Sequence, residues 1–335
     1  MILLFSMEYD VSTNQVVAWL NNENANWKRF NGEDIDEKGN TVKIDIDSNQ
    51  EQSLVINNDF LNLGLVKVIW NRRTHGFTKI KNEVFGNKVK NEIGVGEITK
   101  LHALLKREIL GIHNFIQKKI DGFWLDHPID EKLNKMCVLE LAKEIGLNIP
   151  HTLITNSKKE LKAFLNRKIR VITKPVSEVD GFKIEDDLFM MYTASINEGF
   201  INEMNQEIFF PCLFQELIEK LYEIRTFYLE GQCFSMAIFS QLDQQTKIDF
   251  RAYNHKKWNR MIPFKLPVAM EEKIDKLMKQ LGLKHGSIDL IKSVNGQYYF
   301  LEVNPVGQFG MVSHPCNYYL HEKIAQTLKK YDDAQ

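Results

Sequence analysis

Three oxygen-bearing side chains near the end of the chain have the types and the spacing of a metal site. Asp289, Glu302 and Asn304 stand in the segment GSIDLIKSVNGQYYFLEVN. Asn295-Gly296 is the favoured dipeptide for a two-residue hairpin turn. With that turn, Asp289 lies directly opposite Glu302, and Asn304 lies on the same face two residues further along. Carboxylate and amide oxygens are the ligands that Mg²⁺ prefers, so the pattern predicts a magnesium site or, alternatively, a solvated acidic sheet edge.

The two faces of this hairpin differ in polarity. Like charges directly opposite each other destabilise a sheet unless a cation lies between them. The other face is wholly apolar, which predicts that it covers a core. Its residues are Ile288, Leu290, Leu301 and Val303.

Other charged residues stand on predicted strands upstream. A strand over 169–173 ends at Lys174 because Pro175 follows, and a lysine there is either a phosphate contact or simply solvated. Glu223 and Arg225 alternate along a strand over 222–229 and therefore share a face. They form either part of a site or an ordinary cross-strand ion pair.

Two basic clusters could bind anions. Arg72-Arg73 follows a strand over 65–70, where a surface ion pair is the favoured interpretation. The segment DFRAYNHKKWNR (249–260) carries basic residues among aromatic ones without periodicity: Arg251, His255, Lys256, Lys257 and Arg260. Such a segment suits a polyphosphate substrate beside a magnesium hairpin. A nucleic-acid surface is the rival interpretation.

Composition limits the classes of protein. The chain has 335 residues, which predicts two or three domains. Its 43 basic and 44 acidic side chains give a net charge of −1, which disfavours nucleic-acid and membrane-surface partners. Four scattered cysteines without a CxxC pair indicate a reducing cytoplasm and no zinc site. The start, MILLFSMEYD, is typical of a first strand rather than a signal peptide, and no apolar run is long enough to cross a bilayer.

The elements around these residues alternate between helices and strands. A helix is predicted over 97–117, another begins near Pro128 and Asp130 and stops at Gly146, and a third opens with the capping box Ser157 to Glu160. From 209 onward the pattern predicts a three-stranded meander with a turn at Glu230-Gly231.

Taken in order, these motifs resemble the ATP-grasp superfamily. The resemblance is carried by Lys135, by Lys174 in VITKP, by FQELIEKLYEIRTFYLEG, by DFRAYN, and by Asp289 with EVN at 302–304. Within it, the opening MILLFSMEYDVSTNQVVAWL and the QELIEK and SMAIFSQ stretches are similar to the graspetide synthetases of the grasp-with-spasm branch. These are ATP-grasp peptide maturases that cyclise ribosomal peptides.

The resemblance implies a role for each matching residue. Lys135 and Lys174 would contact the phosphates of ATP, Lys174 also lying near the adenine. Gln215, Glu216 and Ile218 would form the adenine hinge, and Glu223 would hold the ribose. Arg225 and Arg251 would stabilise the transferring phosphoryl group. Asp289, Glu302 and Asn304 would bind two Mg²⁺ ions. The loop after Lys174 departs from many relatives, because PVSEVDGF holds a single glycine, Gly181.

The resemblance also implies a mixed α/β (α+β) ATP-grasp fold in three domains. These are an N-terminal α/β domain (1–120), a central subdomain (121–207) and a C-terminal subdomain (208–335), with ATP between the last two. The enzyme would activate Asp or Glu side chains of a precursor peptide with a leader segment. Ser, Thr or Lys of the same peptide would then close an ester or amide ring. A homodimer is left open, as are a protein glutamate ligase and a non-catalytic nucleotide-binding module.

Overall fold

The structure is a computed structural model of the chain. The residues it describes are 1–35, 40–46, 53–56, 59–72, 95–125, 133–167, 170–177, 181–184, 187–190, 193–243, 246, 248 and 258–334. They divide into two compact units, one formed by Met1–Pro128 with Tyr319–Gln335 and the other by Ile129–Tyr318.

Four of the described helices begin at polar caps. Asp10, Asn134, Ser157 and Asn197 each accept a backbone N–H of the first turn, as capping residues do. The predicted capping box at Ser157 is therefore confirmed on its serine side. The helices are α1 (Val11–Asn22), α2 (Val95–Lys119), α3 (Lys135–Glu144), α4 (Lys158–Leu165), α5 (Glu198–Glu203), α6 (Val268–Gln280), α7 (Gly310–Cys316) and α8 (Leu320–Ala334).

The strands form several separate sheets. Their bounds are β1 (Ile2–Ser6), β2 (Trp27–Asn31), β3 (Val42–Ile44), β4 (Ser53–Ile56), β5 (Asp59–Asn62), β6 (Val68–Asn71), β7 (Phe123–Trp124), β8 (Thr152–Ser157), β9 (Val171–Lys174), β10 (Gly181–Ile184), β11 (Asp187–Met190), β12 (Ala194–Ile196), β13 (Ile208–Glu216), β14 (Lys220–Leu229), β15 (Gln232–Phe239), β16 (Arg260–Phe264), β17 (His285–Ser293) and β18 (Tyr298–Asn304).

The first unit is built on a parallel sheet in the order β2-β1-β6-β7. The central strand β1 is apolar from Ile2 to Phe5 and fully buried, as expected for a parallel strand covered on both faces. Helices α1 and α8 pack against each other. The core of this unit also takes Ile116 from α2 and Ile120, which directly follows the helix. Strands β3, β4 and β5 form a small antiparallel sheet.

The second unit holds two larger sheets, each with its own core. One has the order β12-β9-β13-β8 and packs against α4 and α5. The other is antiparallel, in the order β16-β15-β14-β17-β18, and packs against α3 and α6. Helix α3 ends as predicted before Gly146, whose φ of +89° suits glycine. Strands β10 and β11 form a hairpin.

The predicted meander from 209 onward is wrong in its first strand. Strand β13 pairs with β8 and β9, whereas β14 pairs with β15 and β17. The amide of Leu217 still donates to the carbonyl of Arg170, so pairing with the β9 side continues past the end of β13. The chain then crosses into the second sheet. The turn at Glu230-Gly231 is confirmed, with both residues at positive φ.

Some predictions fall partly outside the described residues. The helix predicted near Pro128 begins at Lys135, while residues 126–132 are not described. The strand predicted over 65–70 is confirmed from Val68, because a 3₁₀ turn occupies Leu63–Leu65. The three-domain division at 120 and 207 stays a prediction.

Candidate functional site

The register of the β17–β18 hairpin brings the predicted metal ligands together. Asp289 pairs with Glu302, and Ser287 pairs with Asn304, so all three predicted ligands share a face. The loop that produces this pairing differs from the predicted two-residue turn. The loop has three residues, 294–296, closed by the Ser293 and Gln297 backbones, with Gly296 at φ +81°.

A β-bulge restores the predicted pairing. The ladder shifts between Asp289 and Leu290, so that Leu290 pairs with Phe300 and Leu301 is the extra residue. The longer loop and the bulge each shift the register by one residue, in opposite directions. The predicted place of Leu301 on the apolar face is therefore wrong, and Phe300 takes it. Phe300 is 1% exposed in the core beside Ile288 and Leu290.

Arg225 lies directly across from Asp289 on the neighbouring strand β14. Its Nη1 donates to Asp289 Oδ1 at 2.6 Å, and both side chains are buried. Three adjacent strands thus carry Arg225, Asp289 and Glu302 in one row across the sheet. A guanidinium at this distance stabilises a buried carboxylate as an anion.

Lys135 is the first residue of α3. Its Nζ lies 3.3 Å from Glu302 Oε2 and donates to the carbonyl oxygen of Ser177 at 3.0 Å. Ser177 belongs to the loop after β9 that follows Lys174. One lysine therefore joins a candidate metal ligand to the segment in which phosphate contacts were predicted.

The residues present fit a magnesium ion. Asn304 Oδ1 is buried and accepts no hydrogen bond from any described residue. Leaving a buried amide oxygen without a donor is unfavourable unless a cation or other partner approaches it. With the opposed carboxylates of Asp289 and Glu302, it makes an oxygen-only donor set. Within the described chain there is no cluster of three His, Cys, Asp or Glu side chains suited to a metal, so the set depends on this amide.

Glu223 is held by two residues that the sequence pattern did not single out. Its Oε1 accepts from Lys220 Nζ at 2.7 Å and from Ser240 Oγ at 2.6 Å. Lys220 also donates to the carbonyl of Ile248. A strand would normally place residues 220 and 223 on opposite faces, but the ladder is irregular between Lys220 and Tyr222. No composition signal marks that irregularity.

The predicted adenine hinge lies at the end of β13. Gln215 is 1% exposed, and its Nε2 donates to Thr152 Oγ1 at 2.8 Å. Glu216 donates its amide to the carbonyl of His151. Ile218, two residues beyond the strand, is buried.

Lys174 stands on the neighbouring strand β9 and is half-buried. It pairs with Leu213, whereas Gln215 pairs with Ile172, so Lys174 and Gln215 lie on the same face of this sheet. The structure thus brings the strand lysine and the first hinge residue to one surface.

Of the four arginines in the two basic clusters, the structure describes Arg72 and Arg260. Arg72 is 1% exposed, with Nε 3.6 Å from Asp10 Oδ2, so the predicted surface ion pair is a buried one. Asp10 lies far away in sequence, which hid the pairing. Arg73 and Arg251 lie outside the described residues. Arg260 is described and stands over the Phe239 ring, 5.7 Å from its centroid.

Comparisons with solved structures find the same architecture over nearly the whole chain. A RiPP-associated ATP-grasp ligase from Chryseobacterium gregarium, in complex with ADP and a leader and core peptide, is 23% identical with a TM-score of 0.82, covering 98% of this chain and 96% of that one. The macrocyclase MdnC from Microcystis aeruginosa MRC, bound with precursor peptide MdnA, is 25% identical with a TM-score of 0.80, covering 98% and 99%. The macrocyclase MdnB from the same organism is 22% identical with a TM-score of 0.73, covering 98% of both chains.

These similarities confirm the predicted ATP-grasp fold. No curated protein matches the chain. No helix among the described residues is long and apolar enough to cross a membrane. The sequence model for the prokaryotic glutathione synthetase ATP-grasp domain matches residues 134–307, just over half of the 335 residues. The match contains every predicted site residue, from Lys135 to Asn304. The chain therefore belongs to the prokaryotic glutathione synthetase ATP-grasp domain family.

Proposed function

We propose that this protein is an ATP-dependent peptide maturase. The enzyme transfers the γ-phosphoryl group of ATP to an Asp or Glu side chain of a ribosomal precursor peptide, which gives an acyl phosphate and ADP. A Ser or Thr hydroxyl or a Lys amine of the same peptide then attacks the acyl carbon, which closes an ester or amide ring and releases phosphate. The observation that carries the proposal is the similarity to the macrocyclase MdnC, which spans 98% of this chain at 25% identity. That similarity is joined to a row of charges suited to phosphoryl transfer.

The proposed roles follow the geometry of the site. Arg225 lies where it can neutralise charge on the transferring phosphoryl group, and Asp289 holds its guanidinium in place. Glu302, Asp289 and the buried amide oxygen of Asn304 would hold two Mg²⁺ ions, which neutralise charge on the β- and γ-phosphates when bound. Lys135 balances the carboxylate of Glu302 and can turn toward a phosphate oxygen.

The remaining residues position the nucleotide. Lys174 and Gln215 on one sheet face would contact phosphate and adenine, with Glu216 and Ile218 completing the hinge. Glu223 would hold the ribose while Lys220 and Ser240 fix its carboxylate. Arg251 is proposed to act beside Arg225. No side chain has to form a covalent intermediate, because positioning and charge neutralisation supply the catalysis.

The proposal also covers the binding partners and the cellular compartment of the enzyme. A flexible peptide is ordered at a cost in free energy, so a constant leader segment would bind first and raise the effective concentration of the core. Four free thiols agree with a reducing cytoplasm. The near-zero net charge disfavours nucleic acid as a partner.

Mass spectrometry tests the proposal directly. The enzyme is incubated with ATP, Mg²⁺ and a precursor peptide carrying a leader, and each ring closure should remove the mass of one water. Glu302→Gln, which keeps the size of the side chain, should form no ring, and a peptide without its leader should react more slowly. Intact peptide mass after complete ATP turnover would contradict the maturase function.

The family match favours a second candidate, a carboxylate–amine ligase that uses free amino acids. That enzyme would add mass to its acceptor and would need no leader. A non-catalytic nucleotide-binding module would bind ATP without leader-stimulated hydrolysis. The same incubation, with and without free glutamate, separates all three.

A further inference from the structure

The segment after β18 folds back over the polar face of the sheet. Gly307 donates its amide to the carbonyl of Asn304, and Phe309 packs on Phe227 with ring centroids 4.9 Å apart. The carbonyl of Gln308 lies 3.5 Å from the hydroxyl of Ser287. The backbone at Gly307 is therefore held directly above the row of candidate site residues.

Gly307 is packed too closely for any side chain. A Cβ added there would lie 2.6 Å from Ser287 Cβ, 2.8 Å from Ser287 Oγ and 2.9 Å from Arg225 Nη2. Ser287 is fully buried on the interior strand β17, so it has little room to move. Of these atoms, only Arg225 Nη2 is the far end of a long flexible side chain, so we expect a methyl at this position to displace the guanidinium.

Arg225 is thus confined from two sides. Asp289 accepts a hydrogen bond from Nη1, while the backbone of Gly307 lies against Nη2. The Arg225 side chain is 9% exposed, so its conformation is set by these neighbours rather than by solvent. A guanidinium fixed in this way keeps one orientation before the substrate arrives, which is what charge stabilisation in a transition state requires.

We propose that Gly307 is a positioning residue. Because it has no side chain, the 305–309 segment can pack close to the Arg225 guanidinium and hold it next to Asp289. The inference rests on the proposed function, in which Arg225 stabilises the transferring phosphoryl group. Gly307 has no side chain that could react, so it would act by setting the position of the Arg225 guanidinium.

Gly307→Ala tests the inference. The variant should lower kcat on the order of 10²-fold, because displacing a catalytic group by about 1 Å is that costly. The KM for ATP should stay within about twofold, since the nucleotide contacts lie elsewhere. Gly122→Ala is the matched control, because a Cβ there meets Ile69 Cδ1 at 2.7 Å and the Lys67 carbonyl oxygen at 2.8 Å, in the other unit. It should lower the melting temperature comparably and leave kcat unchanged.

A double-mutant cycle identifies the group through which Gly307 acts. Lysine lacks Nη2, so adding Gly307→Ala to Arg225→Lys should lower the single-turnover rate by less than about twofold further. Equal losses from Gly307→Ala in both backgrounds would overturn the proposal, as would an unchanged kcat in the single variant.

A second double variant covers a failure of Gly307→Ala to fold. Ser287→Gly added to Gly307→Ala removes the contacts with Ser287 and leaves the contact with Arg225. This double variant should fold and keep the low kcat, whereas recovered kcat would show that Gly307 acts through Ser287 and would overturn the proposal. Each comparison of a variant with its parent is also made with the rate of ATP hydrolysis. A wild-type enzyme that hydrolyses ATP but dehydrates no peptide would therefore count against the proposed function alone.

Discussion

Each unit of the molecule contains a buried arginine–aspartate pair, and the two pairs differ in what surrounds the carboxylate. Asp10 Oδ2 lies 3.6 Å from Arg72 Nε and also accepts from the amide and hydroxyl of Thr13, so it caps α1. Asp289 is bound by Arg225 but stands beside Glu302 in a row rich in acceptor oxygens.

Under the proposed function, this difference separates a structural pair from a functional one. Around Asp10 the amide and hydroxyl of Thr13 and the guanidinium of Arg72 all come from within the same unit. Around Asp289 the sheet adds a second carboxylate and the buried Asn304 amide oxygen, which accepts from no described residue. Burial and pairing are therefore weak evidence of function, whereas an excess of acceptors over donors points to a cation or a ligand.

The largest effect should come from Asp289→Asn. The change keeps the shape of the side chain but removes the charge that pairs with Arg225 and is proposed to bind metal. We expect the rate of peptide dehydration per folded molecule to fall by about 10²–10³-fold. Stability should fall as well, by about 3–5 kcal/mol, because the change leaves the buried Arg225 guanidinium without its partner charge, so activity is normalised to the folded fraction. Quantitative mass spectrometry over time measures the rate, and circular dichroism checks the fold. A rate within tenfold of wild type would place Asp289 with Asp10 as a structural residue.

Asp10→Asn should lower stability and leave activity unchanged. Asparagine still caps a helix, so the variant isolates the loss of charge beside a buried Arg72. Removing one partner of a buried pair destabilises by about 3–5 kcal/mol, while kcat per folded molecule should not change. Urea unfolding gives the stability, and activity is normalised to the folded fraction. If activity fell more than stability explains, the comparison between the two pairs would fail.

Glu223→Gln should affect both nucleotide binding and stability, each to an intermediate extent. The carboxylate has donors within the protein, Lys220 and Ser240, and a proposed ligand, the ribose. We expect the KM for ATP to rise about tenfold, equivalent to about 1.4 kcal/mol, together with a measurable loss of stability. Calorimetry with a non-hydrolysable ATP analogue measures the affinity. Ser240→Ala serves as the control that loosens the same carboxylate without removing its charge.

The smallest effect belongs to an exposed pair. Lys279 Nζ lies 2.7 Å from Asp275 Oδ2, but the lysine is 71% exposed, so Lys279→Ala should lower stability by about 0.3–0.5 kcal/mol. Burial alone would raise the pKa of Asp275, but hydrogen bonds from Lys279 and Tyr228 hold it below its ordinary value.

The pH dependence of this pair has a definite sign. A carboxyl group whose pKa is lowered by folding stabilises the protein above its unfolded pKa and loses that contribution as the pH falls through the folded value. The difference between wild type and Lys279→Ala should therefore be present at neutral pH and vanish in acid. A constant difference in urea midpoints across that range would show that Lys279 acts by packing.

The sequence could predict which residues share a face but not which strands are neighbours. Strict alternation placed Asp289, Glu302 and Asn304 together, because two local irregularities cancelled. The bond from Arg225 to Asp289 spans 64 residues and depends on β14 lying beside β17, which no local pattern encodes. The burial of Arg72 was missed for the same reason. Lys220 was missed because a strand irregularity changes which face it occupies.

The bulge at Leu301 affects whether the edge of this sheet can pair with a strand of another molecule. Strand β18 is the last of its sheet, and an exposed sheet edge is a template for pairing with other chains, and so for aggregation. The bulge interrupts that template, and the Asn148 carbonyl accepts the Phe300 amide while Asn148 Nδ2 donates to the Tyr298 carbonyl. The strand that carries Glu302 and Asn304 is thereby shielded from adding a foreign strand, and the candidate site can stand at the margin of the sheet, where a peptide can reach it.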